Sequence, residues 1–197
     1  MTIASVQHLY EKHYAGEKAR RGFSDALAVW RQPDRVLYPG SFIHVTASLV
    51  FPSVVYADND RNAKRFFSKM DDVVSFVVRH KVYNETPMMA FHGSSYEADL
   101  PEPNGSFDLL ISLYAGFISK PCKRYLKRGG ILAVNNSHGD AGLASIDPDI
   151  AVGSGPPLAG AVVVSTTLLS KRQRWVLSSG QRAGVRLPTV GVPAWHV

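Results

Sequence analysis

Three short stretches of this 197-residue chain carry residues whose types and spacing suit chemistry. In the first, Arg35-Val36-Leu37-Tyr38-Pro39-Gly40-Ser41, an apolar run stops at Pro-Gly. In the second, Ser53-Val54-Val55-Tyr56-Ala57-Asp58, another apolar run stops at a carboxylate. A strand entering a glycine turn, followed by a strand ending in an acid, suits a nucleotide-type ligand at the carboxyl edge of a parallel sheet. Backbone without a Cβ can approach such a ligand closely, and the carboxylate can accept hydrogen bonds from ribose hydroxyls. The alternative is a plain structural turn. The third stretch is Asn135-Asn136-Ser137-His138-Gly139-Asp140. If it follows a strand of the same sheet, His138 is a candidate general base near neutral pH. The competing reading is a polar loop with Asp140 as the N-cap of the next helix.

Stepping outward, the elements that must position these residues alternate in type. Residues 4–31 carry a helical apolar period with weak points at Gly16 and near Gly22. Strands are expected at 35–38, 53–57, 87–91, 107–112 and 131–135. After Asp58, Asn59 and Asp60, which offer N-caps, Ala63, Phe66, Phe67, Met70, Val74, Val77 and Val78 mark one long helix. A further helix is expected over about 115–127, stopped by Gly129-Gly130. Residues 150–152 and 161–169 are candidate late strands, the latter an edge hairpin partner. Strand, helix, strand is the grammar of a parallel doubly wound sheet, and continuously apolar strands point to one covered on both faces.

Composition excludes several classes. Hydrophobic content of 45% and charged content of 19% are those of an ordinary globular protein. No run approaches the roughly 18 apolar residues of a membrane span. The start of the chain lacks the pattern of a signal peptide, and with one cysteine, Cys122, no internal disulfide can form, so a cytoplasmic setting is expected. Of the net charge of +6, residues 171–197 supply five basic side chains and no acidic one. The rest is nearly neutral, which argues against nucleic acid as a partner of the domain. Histidine spacing supports no metal site, and no P-loop is present. His92 reads as a hydrogen-bonded structural histidine, and Cys122 as a small buried side chain.

With the elements in order, Val36-Leu37-Tyr38-Pro39-Gly40-Ser41, Tyr56-Ala57-Asp58, Phe107-Asp108-Leu109-Leu110-Ile111-Ser112 and Tyr125-Leu126-Lys127-Arg128-Gly129-Gly130-Ile131-Leu132 resemble the successive motifs of class I S-adenosylmethionine-dependent methyltransferases. The resemblance covers about residues 30–145 and is nearest to a branch whose first motif reads Y-P-G-S. It implies an α/β, Rossmann-like, doubly wound and mostly parallel sheet with helices on both faces and an antiparallel late strand. One such domain over 1–170, including the helical segment 1–31, would be followed by a basic, poorly ordered tail over 171–197. By the same resemblance Gly40 and Ser41 pass beneath the methionine part of the cofactor, and Asp58 holds the ribose. Ser95 and Tyr96 fall where adenine is contacted; Ser112, counted with the cofactor set, begins the stretch to Ala115 that opens towards substrate. The chain departs from the pattern at Tyr38, where the family has an acid, and at Phe42 and His44. Ser95 likewise replaces an aspartate.

The expected activity is methyl transfer from S-adenosylmethionine to a small molecule, with no metal. A non-catalytic ligand-binding or interaction protein on the same fold is the alternative, favoured by Phe42 and Tyr38. A third option, an RNA methyltransferase, would use the basic tail and the Lys18, Arg20 and Arg21 face.

Overall fold

A computed structural model describes residues 3–14, 18–136, 138–150 and 161–165. Six strands form one sheet in the order β3-β2-β1-β4-β5-β6. They are β1 (Val36–Pro39), β2 (Ser53–Ala57), β3 (Met88–His92), β4 (Phe107–Ser112), β5 (Leu126–Asn135) and β6 (Ala161–Ser165). β1 to β5 are parallel, and β6 closes the edge antiparallel to β5, pairing Leu132 with Val164. The chain reverses direction across the sheet between β1 and β4, so the loops after these two strands face each other at the carboxyl edge.

Alternation along each strand divides the core into two layers. Val36, Tyr38, Val54, Tyr56, Leu109 and Ile131 point to one face, covered by α1 (Ile3–Tyr14), α2 (Lys18–Arg31), a 3-10 turn at Thr46–Leu49, α3 (Arg61–Phe67) and α4 (Met70–His80). Leu37, Val55, Leu110, Leu132 and Val134 point to the other. That face is covered by Leu100 of the β3–β4 connection, α5 (Ser119–Cys122), Tyr125 and α6 (Asp140–Ser145). Burial on both sides is why these strands have no polar alternation.

Three expectations about the elements change. The single long helix is two helices. Asp60 caps α3, its Oδ1 accepting the Asn62 and Ala63 N–H groups at 2.6 and 3.1 Å. The chain then leaves helical geometry at Lys69 (φ −109°, ψ 51°), while the buried positions Val73, Phe76 and Val77 of α4 continue the apolar stripe. Periodicity survives a break that keeps the same face inward. The helix expected over 115–127 is confined to α5 and a 3-10 turn at Lys123–Tyr125. Gly129-Gly130 does not end a helix but forms an irregularity within β5, which begins at Leu126 and slips register against β4 between the Phe107–Leu126 and Leu109–Ile131 pairs. Gly129 has φ +78°, and a Cβ on Gly130 would lie 2.9 Å from the Lys127 carbonyl oxygen, so the kink requires glycine.

The β3–β4 connection, without a helix, is fastened to the sheet by one carboxylate. Glu102 accepts from Arg35 Nη2 at 2.7 Å and bonds His92 Nε2 at 2.7 Å. His92 is thus structural. Residues 151–160 and 166–197 lie outside the described residues, and with them all but Ile150 of the strand expected at 150–152, the end of that expected at 161–169 and the basic tail. Among the described residues no helix is long and apolar enough to cross a membrane.

Candidate functional site at the carboxyl edge of the sheet

The glycine turn after β1 is held from two sides. Gly40 has φ +63°, and its N–H donates to the Ala57 carbonyl at 2.8 Å. A Cβ there would stand 2.3 Å from the Ala115 Cβ and 3.6 Å from Tyr96 Cε1, so the loops after β1, β3 and β4 meet over this glycine. Two residues on, Phe42 also adopts a left-handed conformation (φ +53°), as does Tyr114 after β4 (φ +58°). Such geometry costs a bulky residue about 1 kcal/mol or more and concentrates at functional sites. Here it flanks a cavity.

The cavity encloses about 270 Å³. Its walls come from the end of α1 (His13 and Tyr14), from β1 and its turn (Tyr38, Gly40, Ser41 and Phe42) and from the loop after β4 (Leu113 and Tyr114). Neither an acidic nor a lysine or arginine side chain lines it. Behind Tyr38 runs a buried polar chain. The Tyr38 hydroxyl is hydrogen-bonded to His44 Nδ1 at 3.0 Å, His44 Nε2 to Thr46 Oγ1 at 2.8 Å, and Thr46 Oγ1 to the Tyr10 hydroxyl. The Tyr14 ring lies 4.6 Å from the His44 ring. His44 thereby ties α1 to the β1 loop.

Asp58 is at the end of β2 and only 8% exposed. Its Oδ2 accepts the Phe42 N–H at 2.8 Å and its Oδ1 the Asp60 N–H at 2.8 Å. Asp140 lies on the other side of the site and is 2% exposed. It accepts the Ser112 and Ser119 hydroxyls at 2.6 and 2.5 Å and backbone N–H groups of Ile118 and Ser119 at 3.1–3.3 Å. Asp140 therefore caps α5 across the chain rather than its own helix, where Gly139 (φ 84°) is the N-cap. Neither carboxylate enters an ion pair among the described residues.

The sequence-derived residues separate accordingly. Gly40 and Ser41 line the cavity; Asp58 lies one hydrogen bond behind it. Tyr96 covers Gly40 beside it, and its phenol is held above its ordinary pKa by burial and, less, by the charges of Glu97, Cys122, Asp58 and Asp140. Ser95 is spent on a turn, its Oγ accepting the Glu97 N–H at 3.2 Å. Ser112 is buried and gives its hydroxyl to Asp140, so it supports the loop rather than facing the cavity. His138 is exposed and does not line the cavity. Cys122 is buried, and burial pushes its thiol up to about 12. His13 and Tyr14 were not singled out by sequence. Their only trace was an aromatic cluster at the end of the first helical stripe. No group of residues able to hold a metal ion exists among the described residues.

The arrangement resembles known structures at the level of the backbone. A methyltransferase from Geobacter sulfurreducens superimposes with a TM-score of 0.51 at 14% identity, over 83% of this chain and 87% of that one. A Corynebacterium glutamicum protein does so with a TM-score of 0.51 at 13% identity, over 86% and 91%. The YcgJ protein of Bacillus subtilis is 20% identical with a TM-score of 0.44; the similarity spans 63% of this chain and 53% of that one. No family model and no curated protein matches the sequence. The fold is that of the Rossmann-like class I methyltransferases.

Proposed function

We propose that this chain binds S-adenosylmethionine beside the β1 turn and passes its methyl group to a small molecule. The observation that carries the reading is the cavity itself. On a methyltransferase fold, it opens at the carboxyl edge between the loops after β1 and β4, with Asp58 directly behind its wall.

The residues present fit the cofactor in kind. Gly40 leaves room for no side chain, so backbone forms the floor where the ligand's methionine end belongs. Each Asp58 oxygen accepts one backbone N–H, and a carboxylate has about four acceptor positions, leaving capacity for ribose hydroxyls. When bound, the sulfonium supplies a methyl group already activated for transfer. The protein's part is then to hold the acceptor in line and exclude water, a task for Leu113 and Tyr114 on the β4 side. For an acceptor that must lose a proton, His13 lines the cavity and so takes precedence over His138 as the base.

Calorimetric titration with S-adenosylmethionine and its demethylated product tests the reading. Binding of either in the micromolar range, weakened in Asp58→Ala, is expected. No binding by either ligand at millimolar concentration overturns it. Unchanged binding in a folded Asp58→Ala protein removes Asp58 from the ribose site.

One observation favours the non-catalytic alternative. The cavity is slightly smaller than the roughly 300–1,000 Å³ of most ligand sites, and Phe42 narrows its wall. That reading predicts binding of small ligands without binding of S-adenosylmethionine.

A further inference from the structure

Methyl transfer as described leaves one polar feature beside the cavity unused, the hydrogen-bonded file Tyr38–His44–Thr46–Tyr10. Tyr38, His44 and Thr46 are each no more than 3% exposed. Tyr10, at the far end on α1, is only half-buried, so the file runs from the cavity wall towards solvent. Strand alternation sends the Tyr38 side chain to the face that α1 covers, while its backbone lies within the sheet beside Tyr56. The side chain is therefore what Tyr38 contributes to the wall.

Anchoring α1 does not require this file. Val6 is fully buried, and the Tyr10 ring packs against Phe76 at 5.1 Å. An imidazole buried between two hydroxyls carries a desolvation cost that apolar packing avoids. What it adds is chemistry. A hydroxyl or a neutral imidazole can donate and accept at once, so within these four groups donation can run in either direction. In one direction the Tyr38 O–H donates to His44 Nδ1, and His44 carries its proton on Nε2. In the other, Nδ1–H donates to the Tyr38 oxygen, which frees the phenol proton for a guest.

We propose that this file is a proton relay serving a neutral, hydroxyl-bearing guest in the cavity. The guest's O–H bond breaks and its proton passes to the Tyr38 oxygen, while the Tyr38 proton passes to His44 Nδ1. The Nε2 proton passes to Thr46 Oγ1, the Thr46 proton to the Tyr10 oxygen, and the Tyr10 proton to water. One proton leaves the guest, one reaches solvent, and the electron pair stays on the guest oxygen. The links from Tyr38 to His44 and from His44 to Thr46, at 3.0 and 2.8 Å, lie within the reach of proton transfer. Uncharged walls carrying the hydroxyl residues Tyr14, Ser41 and Tyr114 suit such a guest. Tyr38 touches the guest; His44, Thr46 and Tyr10 act through it. His13, which is exposed, takes a proton where solvent already reaches, whereas the file serves the buried wall. Only the use of the relay in methyl transfer, where the electron pair bonds the methyl carbon, rests on the methyltransferase reading.

The test uses the full chain, isotope-labelled at its histidine nitrogens, with phenol as a guest that donates and anisole as one that only accepts. NMR reads which ring nitrogen of His44 carries the proton, its signals assigned by through-space coupling to the Thr46 methyl group. Phenol is expected to hold the proton on Nε2, and anisole to move it to Nδ1. The same tautomer with both guests overturns the relay, as does no response of His44 to either at millimolar concentration. Tyr38→Phe keeps the ring and removes the hydroxyl, so His44 should then show one tautomer whichever guest is present. A guest-dependent tautomer that persists in Tyr38→Phe overturns the relay too. The comparison of guests in the parent chain needs no variant, so it decides the matter whether or not Tyr38→Phe folds.

Titration with S-adenosylmethionine separates the relay from the methyltransferase reading. If the tautomer follows the guest but S-adenosylmethionine does not bind, that reading falls and the relay stands. If S-adenosylmethionine binds and the tautomer ignores the guest, the relay falls and that reading stands. A response to phenol retained in the chain saturated with S-adenosylmethionine supports use of the relay on a methyl acceptor. A response lost on saturation overturns that use.

Discussion

Asp58 and Phe42, sixteen positions apart in sequence, are joined by a 2.8 Å hydrogen bond from the Phe42 N–H to Asp58 Oδ2. That bond fixes the turn after β1 against the end of β2, and a second, from Asp60 N–H to Oδ1, fixes the start of α3. One buried carboxylate therefore sets both the floor of the cavity and the helix beside it. Hydrogen bonds to a charged acceptor contribute about 1.5–3 kcal/mol each. Asp58→Ala is expected to lower unfolding free energy by about 3–6 kcal/mol, measured by urea denaturation. Asp58→Asn, which keeps one acceptor oxygen, should lose about half as much.

Phe42 separates conformational strain from ring packing. Its φ of +53° suits glycine or asparagine and punishes β-branched residues most. The ring, half-buried, meets His13 edge-on at 5.5 Å. Relief of strain and loss of the ring oppose each other in Phe42→Gly, so its stability should stay within about 1 kcal/mol of the parent. Phe42→Val keeps apolar bulk but adds strain and should cost about 2 kcal/mol or more. Equal thermal stabilities of these two variants would show that the left-handed geometry does not matter.

At Gly40 the contact itself can be tested by a double variant. Gly40→Ala places a Cβ 2.3 Å from the Ala115 Cβ at a positive φ, and should cost about 3 kcal/mol. Adding Ala115→Gly removes the overlap and leaves the backbone cost of about 1 kcal/mol, together with that of a new glycine. Denaturation of the single and double variants should thus show recovery of part of the loss. Purely additive losses would mean the two loops do not meet here.

Cys122 makes alkaline stability measurable. Burial raises its thiol from 9.0 to about 12, so the thiolate is disfavoured in the fold. Because the folded value lies above the unfolded one, the stabilisation is complete below pH 9 and is lost as pH rises from about 9 towards 12. Tyr83, raised from 10.0 to about 12, adds to the decline at higher pH. In Cys122→Ala, stability between pH 9 and 10 should fall less steeply than in the parent. Iodoacetamide should label the native thiol slowly at pH 8 and rapidly in urea.

Strands β1, β2, β4 and β5 were readable because their apolar runs are buried on both faces, whereas β3 is only partly buried and was marked mainly by Pro87 and Gly93. The α3 cap was readable because Asp60 satisfies N–H groups within three residues of itself. The turn at Gly40 and Ser41 was readable for the same reason: a turn after a strand is a local event. Single-element periodicity, by contrast, does not register a break such as that at Lys69, since the same helix face stays inward on either side. Nor does it distinguish a glycine pair ending a helix from one kinking a strand, because what requires Gly130 to lack a side chain includes the Asp108 carbonyl on β4.

The sequence by itself determined the alternation of strands and helices, the glycine turn after β1 and the acid after β2. Only the tertiary structure decided what those residues face. Strand order sets β1 beside β4, bringing Ala115 against Gly40, and α1 packs so that His13 and Tyr14 close the cavity. It also turned Asp140 and Ser112 inward as a cap for α5. These outcomes depend on contacts between residues far apart in the chain, which no local pattern encodes, whereas burial and turn geometry are imposed residue by residue.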